Sequence, residues 1–311
     1  MRTLKLVVTA IDDSIEDVRT LTLSDPDGAP LPSFTPGSHI VLECGAVANA
    51  YSLTGDGTVP CSYEISVLRC DNGSGGSLWL HDRVALGDTV IASLPRSAFA
   101  PVLRARKHLL VAAGIGITPM VSHLRSARVW GRHTELLYVH RPGRAVHVDT
   151  VTRLADDVSI HTGRAGFDTA LRTALAGQPF GAHLYVCGPT AFIADVTATA
   201  VELGWPDSRI HLEHFGSAAL DPGEPFTARI TSTGEQFIVE SGVSLLEALE
   251  RRGFDVPNLC RKGVCGECRI PVAGGAITHR DLFLGDEDKQ AGDTLMACVS
   301  RGDGETLEVA L

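Results

Sequence analysis

Hydrophobic and polar positions alternate along the first hundred residues. Apolar or β-branched runs stand at Leu4–Ala10, Val18–Leu23, His39–Leu42, Tyr51–Thr54, Tyr63–Leu68 and Thr89–Ala92, separated by turn clusters such as Asp25-Pro26-Asp27-Gly28. Six short strands at this spacing predict an antiparallel β-barrel or sandwich. The pattern changes near residue 105. His108–Ala113 is a continuous apolar run, as in a strand buried on both faces, and Thr134–Val139, Val158–His161, His183–Cys187 and Arg209–His214 follow it. Helical stretches over Thr118–Trp130, Asp168–Leu175 and Thr190–Leu203 lie among them. Alternating β and α elements predict a parallel sheet covered on both faces.

Ala218–Pro225 reads as a linker. Beyond it, Phe226–Thr231 and Gln236–Val239 form a predicted hairpin around Thr233-Gly234. Ser244-Leu-Leu-Glu247 then has the form of a capping box, in which Ser and Glu satisfy each other's free amides at a helix start. That helix is expected to stop at Gly253, and Thr306–Ala310 to close the fold as a strand. The fold class expected is therefore multidomain: an antiparallel β-barrel over residues 1–102, an α/β parallel-sheet domain over 103–222 and an α+β domain over 226–311.

Composition narrows the function. The chain has 311 residues, 44% hydrophobic and 21% charged, with a formal charge of −10 and no basic stripe, so no nucleic-acid partner is expected. No apolar run reaches the roughly 18–20 residues that a membrane span needs, and the opening residues turn polar too soon for a secretory signal. A reducing, cytoplasmic compartment is expected, and a disulfide framework is not. Residues 226–311 carry 14 acidic against 9 basic side chains.

Eight cysteines are present. Cys44, Cys61 and Cys70 read as small buried hydrophobes. Cys260, Cys265 and Cys268 have the spacing C-x4-C-x2-C, and Cys298 follows; this is the plant-type [2Fe–2S] ligand pattern. Soft thiolates suit iron–sulfur, and Gly263 and Gly266 let the loop wrap closely. Structural zinc sites pair cysteines at short spacing on both sides, and Cys298 has no such neighbour in sequence.

Three domains in this order, ending in that cysteine pattern, resemble the phthalate dioxygenase reductase family. Its members are iron–sulfur flavoprotein reductases related to ferredoxin–NADP reductases. The resemblance implies FMN in the barrel, NADH on the parallel-sheet domain and a β-grasp ferredoxin domain at the end; Arg141 and Arg144 leave NADPH open. The family's R-x-Y-S-L flavin motif corresponds to Asn49-Ala50-Tyr51-Ser52-Leu53. Tyr51 would pack on the flavin and Ser52 approach its redox nitrogen, while Asn49 replaces the phosphate-facing Arg with a neutral donor. Gly75-Gly76-Ser77 resembles the phosphate loop, with a glycine-rich hairpin turn as the other reading.

Gly114-Ile-Gly116-Ile-Thr118-Pro119 resembles the pyrophosphate-binding turn, and Cys187-Gly188-Pro189 the segment beside the nicotinamide. Arg141, in Tyr138-Val-His-Arg141, resembles a contact to the adenosine side, and Phe215 ends the nucleotide domain near the flavin. Cys187 as a buried strand-end thiol, Arg141 as a surface side chain and Phe215 as core are the alternative readings. Ser52 and Cys187 are the residues expected nearest the chemistry.

The expected partner is a terminal oxygenase component of Rieske type, with a cytochrome P450 second, and the chain is expected to be a monomer. Asp286-Glu287-Asp288 would steer docking or form a solvated loop. A stand-alone diaphorase or flavin reductase, and a redox-sensing module with an impaired flavin site, are the rival functions.

Overall fold

The computed structural model describes residues 3–311 except 98, 165, 216–221, 259, 260, 262, 264, 265, 282 and 305. The chain divides into two compact units, Met1–Gly216 and Ser217–Leu311. Half of the predicted linker, residues 218–221, lies outside the described residues.

The first unit opens with the antiparallel strands β1 (Thr3–Ile15), β2 (Val18–Ser24), β3 (Ser38–Cys44), β4 (Val47–Ser52) and β5 (Ser62–Leu68). Helix α1 (Gly76–Asp82), β6 (Thr89–Ser93) and β7 (Arg96–Ser97) follow. The sheet runs β4-β3-β6-β1-β2-β5, with β7 on β3. A bridge between Leu53 and Ile65 brings its two ends together, and the Thr54 amide donates to the Glu64 carbonyl at 3.0 Å. The predicted barrel is thus nearly closed, which removes edge strands. Inward positions of the alternating runs, among them Leu6, Leu21, Leu23, Ile40, Leu42 and Ile65, form its core. β4 starts upstream of the predicted Tyr51. Ala48, Asn49 and Ala50 carry no strand signal of their own, and backbone pairing to β3 extends them.

The second sheet is wholly parallel. Its elements are β8 (Lys107–Ala113), α2 (Ile117–Trp130), β9 (His133–His140), α3 (Val148–Leu154), β10 (Asp157–Thr162), α4 (Phe167–Ala176), β11 (Ala182–Gly188), α5 (Thr190–Glu202) and β12 (Ile210–His214). Strand order is β10-β9-β8-β11-β12. The order reverses between β8 and β11, the place where open α/β sheets bind ligands beyond their strand C-termini. Seven-residue α3 is too short to leave a periodic trace in the sequence.

Barrel and parallel sheet share one interface. On it His123 is wholly buried, its Nε2 2.8 Å from the Phe99 carbonyl, and desolvation pulls its pKa down to about 3. The unfolded imidazole titrates near 6.5, so the unfolded chain binds more protons below that pH. The stabilisation is therefore complete above pH 6.5 and is lost as the pH falls toward 3. Thermal unfolding at pH 7, 6 and 5 should show stability dropping by up to about 1.4 kcal/mol per pH unit from this group. His123→Gln should flatten that slope, and an unchanged slope in the variant would reject the assignment.

The second unit contains β13 (Phe226–Ile230), β14 (Gln236–Val239), α6 (Leu245–Glu250), β15 (Arg269–Gly274), β16 (Ile277–Thr278), α7 (Asp286–Ala291), β17 (Thr294–Met296), β18 (Arg301–Gly302) and β19 (Leu307–Val309). Its sheet order is β14-β13-β19-β15-β17, with β13 and β19 parallel at the centre and α6 supplying Leu245, Leu246 and Leu249 to the core. The capping box is present in both directions: Glu247 N donates to Ser244 Oγ at 3.2 Å and Ser244 N to Glu247 Oε2 at 3.2 Å. The helix ends at Glu250, before the predicted Gly253, which takes φ +83° in the following turn. Asp286-Glu287-Asp288 forms the first turn of α7, where acidic side chains favour the helix N-terminus. No described helix is long and apolar enough to cross a membrane.

Candidate functional site: a flavin rim, a nucleotide turn and a cysteine loop

The flavin-motif residues sit at the end of β4 and just beyond it. Tyr51 is opposite Ile40 and Ser52 opposite His39, while Leu53 is fully buried in the barrel core, so its side chain serves packing. Ser52 Oγ is buried without a hydrogen-bond partner, and the buried Tyr51 hydroxyl has only the side chains of Asn49 and Cys44 beside it. Buried polar atoms are almost always satisfied, so the orphan Ser52 hydroxyl beside Tyr51 on the barrel rim fits a polar ligand such as a flavin. Burial also raises the Tyr51 phenol pKa, which keeps it neutral.

Asn49 closes onto the glycine loop. A Cβ on Gly76 would lie 2.5 Å from Asn49 Nδ2, and Ser74 Oγ donates to Asn49 Oδ1 at 2.9 Å. The short amide thus occupies the ground above the start of α1, and glycine at 76 is required for that approach. Gly75 takes φ +95° to turn the chain into the helix. The Ser77 hydroxyl is already engaged: it accepts from Cys70 N at 3.1 Å and donates to Cys70 O at 3.4 Å. It therefore pins the start of α1 to the Cys70 backbone.

At the switch point, β8 turns through Gly114 at φ +54° into a 3-10 turn, Gly114–Gly116, and then α2. A Cβ on Gly116 would come within 2.4 Å of the Cys187 carbonyl, and one on Gly188 within 2.9 Å of both Ala113 and Phe192. Glycines here let the two loops touch. Thr118 Oγ1 donates to the Ile115 carbonyl at 2.9 Å, locking the turn, and Pro119 lies in the first turn of α2, where its missing N–H costs nothing. Pro189 caps α5.

Cys187 is fully buried. Desolvation first, and the Glu213 carboxylate second, push its thiol pKa well up, so it stays protonated and is no thiolate nucleophile. Phe215 is half-buried against the same apolar cluster as Cys187 and Ile117. Arg141 is exposed just past the C-terminus of β9, whereas Arg144 is ion-paired with Asp17 of the barrel.

In the second unit, Cys268 and Cys298 are buried and brought together: Ala297 N donates to Cys268 O at 3.0 Å, and Arg269 pairs with Met296. Cys260 and Cys265 lie outside the described residues. The loop stem is held by Arg261, which donates to Glu250 Oε1 at 2.5 Å and Asn258 Oδ1 at 3.1 Å. Gly263 and Gly266 have φ of +70° and +79°, and a Cβ on them would strike Val299 at 2.6 Å and the Phe283 ring at 2.4 Å. These close approaches seat the described part of the loop against Phe283 and against Val299, the neighbour of Cys298, and the buried thiols of Cys268 and Cys298 suit iron–sulfur ligation.

Sequence reasoning missed several residues beside these sites: His39 next to Ser52, Phe283 over Gly266, and Arg125, which donates to the Thr54 carbonyl at 2.8 Å. For Arg125 a signal existed in the stripe Thr118–Ser122–Arg125 on one face of α2.

A nucleotide turn at a sheet switch point, a barrel rim that fits a flavin and a four-cysteine loop are the parts of an iron–sulfur flavoprotein reductase. Comparison with known proteins bears this out. The model of the 2Fe-2S iron-sulfur cluster binding domain matches residues 228–301, which include all four cysteines. That of the dimethylamine monooxygenase subunit DmmA-like N-terminal domain matches residues 89–210. Phthalate dioxygenase reductase of Burkholderia cepacia is 35% identical over 99% of this chain and 97% of its own, and a solved structure of phthalate dioxygenase reductase superposes with a TM-score of 0.77 at 34% identity, covering 99% of this chain and 98% of that one. The heme-dependent oxidative N-demethylase beta subunit of Ectopseudomonas mendocina (strain ymp) is 40% identical over 89% of each chain. An intact type IV self-sufficient cytochrome P450 monooxygenase matches at 32% identity and a TM-score of 0.82; this chain covers only 41% of that longer one. The chain belongs to the phthalate dioxygenase reductase family.

Proposed function

We propose that this chain is the reductase component of a multicomponent oxygenase. The reading is that electrons enter from NADH, pass through FMN and a [2Fe–2S] cluster, and leave singly for a terminal oxygenase or demethylase of Rieske type. The observation that carries it is the likeness to phthalate dioxygenase reductase over the whole chain, cluster loop included. A flavin, when bound, supplies the conversion between two-electron and one-electron transfer that a nicotinamide and an iron–sulfur cluster cannot make directly.

The chain's own residues supply binding and geometry. Tyr51 and Ser52 offer neutral hydroxyls at the barrel rim, and Asn49 holds the Gly75-Gly76-Ser77 loop in place. Gly114, Gly116 and Thr118 present the turn for a pyrophosphate, with Gly188 and Pro189 beside it. Cys187, held neutral, gives an apolar edge there without competing for protons. FMN is favoured over FAD because only residues 69–75 join β5 to α1, leaving no loop for an adenine. NADH is favoured over NADPH because Arg144 is committed to Asp17. A cytoplasmic location, where thiols are kept reduced, suits a chain that needs free cysteines as cluster ligands.

The test is the absorbance spectrum and cofactor extraction of the oxygen-protected protein, followed by anaerobic NADH titration. Expected are FMN, iron and acid-labile sulfide, with both centres bleached by NADH. Zinc in place of iron, or no flavin, overturns the reading. A haem acceptor is the second reading, favoured by the 40% identity to the heme-dependent N-demethylase subunit. Stopped-flow mixing of the reduced protein with a Rieske oxygenase and with a haem N-demethylase separates the two.

Docking gives a further prediction. Asp286 and Glu287 are exposed on α7, and Phe283, 47% exposed, lies over Gly266 of the cluster loop. If this acidic rim steers a basic partner, acceptor reduction at limiting concentration should fall by about an order of magnitude between low and high salt. A flat rate rejects steering.

A further inference from the structure

Helix α2 starts at the nucleotide turn and lays one stripe against the barrel. Thr118, Ser122 and Arg125 occupy that stripe at helical spacing. Ser122 Oγ accepts from the Gly37 amide at 2.9 Å, and Arg125 Nε donates to the Thr54 carbonyl at 2.8 Å. Thr54 lies two residues past Ser52, is fully buried, and is fixed from its other side by Glu64: its hydroxyl reaches Glu64 Oε1 at 2.5 Å and its amide the Glu64 carbonyl at 3.0 Å. Arg125 thus grips a rigid extension of the flavin-motif strand, from the helix whose first residues form the nucleotide turn.

The surrounding interface is constrained as well. The only two non-glycine residues with positive φ among the described residues of this unit, Asp17 at +58° and His147 at +60°, both lie on it. Asp17 pairs with Arg144, and His147 Nε2 is 2.8 Å from Ser66 Oγ. Asp17 takes this conformation in the two-residue β1–β2 turn, and the contacts to Arg144 and Ser66 tie both residues across the interface.

We infer that Arg125 is a positioning residue for hydride transfer, holding the end of the Tyr51-Ser52 segment in register with the nucleotide turn at Gly114–Gly116. The inference rests on the proposed function. The reaction moves two electrons and one proton together, as a hydride, from the dihydronicotinamide to the flavin, and it requires reacting atoms about 3–3.5 Å apart. Neither loop touches the other chain segment's cofactor site directly through Arg125; the guanidinium acts through the Thr54 carbonyl. Losing it should leave each cofactor's own contacts intact while loosening their alignment, and a misplacement on the order of 1 Å costs up to about a hundredfold in rate.

The experiment compares wild type, Arg125→Met and Arg125→Lys as FMN-loaded full chains. Expected for Arg125→Met is a flavin-reduction rate down by about tenfold or more, with a larger primary isotope effect from deuterated NADH. Affinity for ADP-ribose, which binds without chemistry, should stay within about twofold, and the long-wavelength charge-transfer absorbance of reduced flavin with NAD+ should weaken. Arg125→Lys, with one donor able to reach Thr54 O, should recover part of the rate. Ser122→Ala, a smaller deletion in the same stripe, should give the same signature at about threefold and serves where the methionine variant does not accumulate. An unchanged rate, or ADP-ribose affinity falling in parallel with it, overturns the inference. A wild type that NADH cannot reduce overturns the proposed function itself, and the inference with it.

Discussion

Cys298→Ser should abolish electron delivery to the acceptor while leaving the flavin end of the molecule at work. Cys298 comes from a different segment from the other three cysteines, yet it is buried beside Cys268, joined through the Ala297 to Cys268 backbone bond. A serine oxygen is a hard, poorly deprotonated donor where a soft thiolate is wanted, so the cluster should be lost or assembled only in small yield. The measurable outcome is loss of the iron–sulfur absorbance and of reduced-state electron paramagnetic resonance. Acceptor reduction should fall by about two orders of magnitude or more, whereas NADH-driven reduction of ferricyanide taken directly from the flavin should stay within about twofold. The division of the chain into units Met1–Gly216 and Ser217–Leu311 is what makes this separation expected. Cys61→Ser is the control: Cys61 is exposed, not buried as the sequence suggests, and its replacement should affect neither rate. Normal acceptor reduction by Cys298→Ser would mean that the four-cysteine loop does not carry the electrons.

What was legible in the sequence was local or periodic. The capping box at Ser244 and Glu247 involves groups three residues apart, and the buried strands of the parallel sheet announce themselves as unbroken apolar runs. The cysteine spacing and the glycines at 114, 116 and 188 were readable because each answers to a geometric need at a fixed offset. The unread parts depend on partners distant in sequence. Asn49 reads in sequence only as a neutral donor in an arginine's place, and its contacts with Gly76 and Ser74 form only in the fold. The contact of the Ser77 hydroxyl with the Cys70 backbone joins residues seven apart across a turn that no motif marks. Arg125 finds a backbone carbonyl at Thr54, and every residue type offers such a carbonyl, so no motif marks the pair. Short α3 and α7 fail for another reason: a helix of six or seven residues completes too few turns to show a period.

Arg301 is the extreme case of a role invisible in sequence, and its replacement should have the largest effect on stability. The side chain is buried in the second unit. Its guanidinium donates to backbone carbonyls: Nη1 to Val243 at 2.7 Å, and Nη2 to Glu224 at 3.1 Å, Glu240 at 3.0 Å and Val239 at 3.5 Å. It also stacks 5.0 Å from the centre of the Phe226 ring. The planar fork therefore ties the segment before β13, the end of β14 and the approach to α6 to β18, a set of contacts no ammonium reproduces. Arg301→Met keeps much of the volume but removes the hydrogen bonds to four carbonyls at once, one of them buried, and should destabilise the second unit by about 3–5 kcal/mol. For a module of this size that is a fall of roughly 15 °C or more in its unfolding midpoint by calorimetry. Arg301→Lys should recover only a minor part, because one ammonium cannot span all four acceptors. The first unit, Met1–Gly216, should unfold at its usual temperature in both variants. A second-unit midpoint within about 2 °C of wild type in Arg301→Met would show that water satisfies those carbonyls and that the buried guanidinium does not hold the module together.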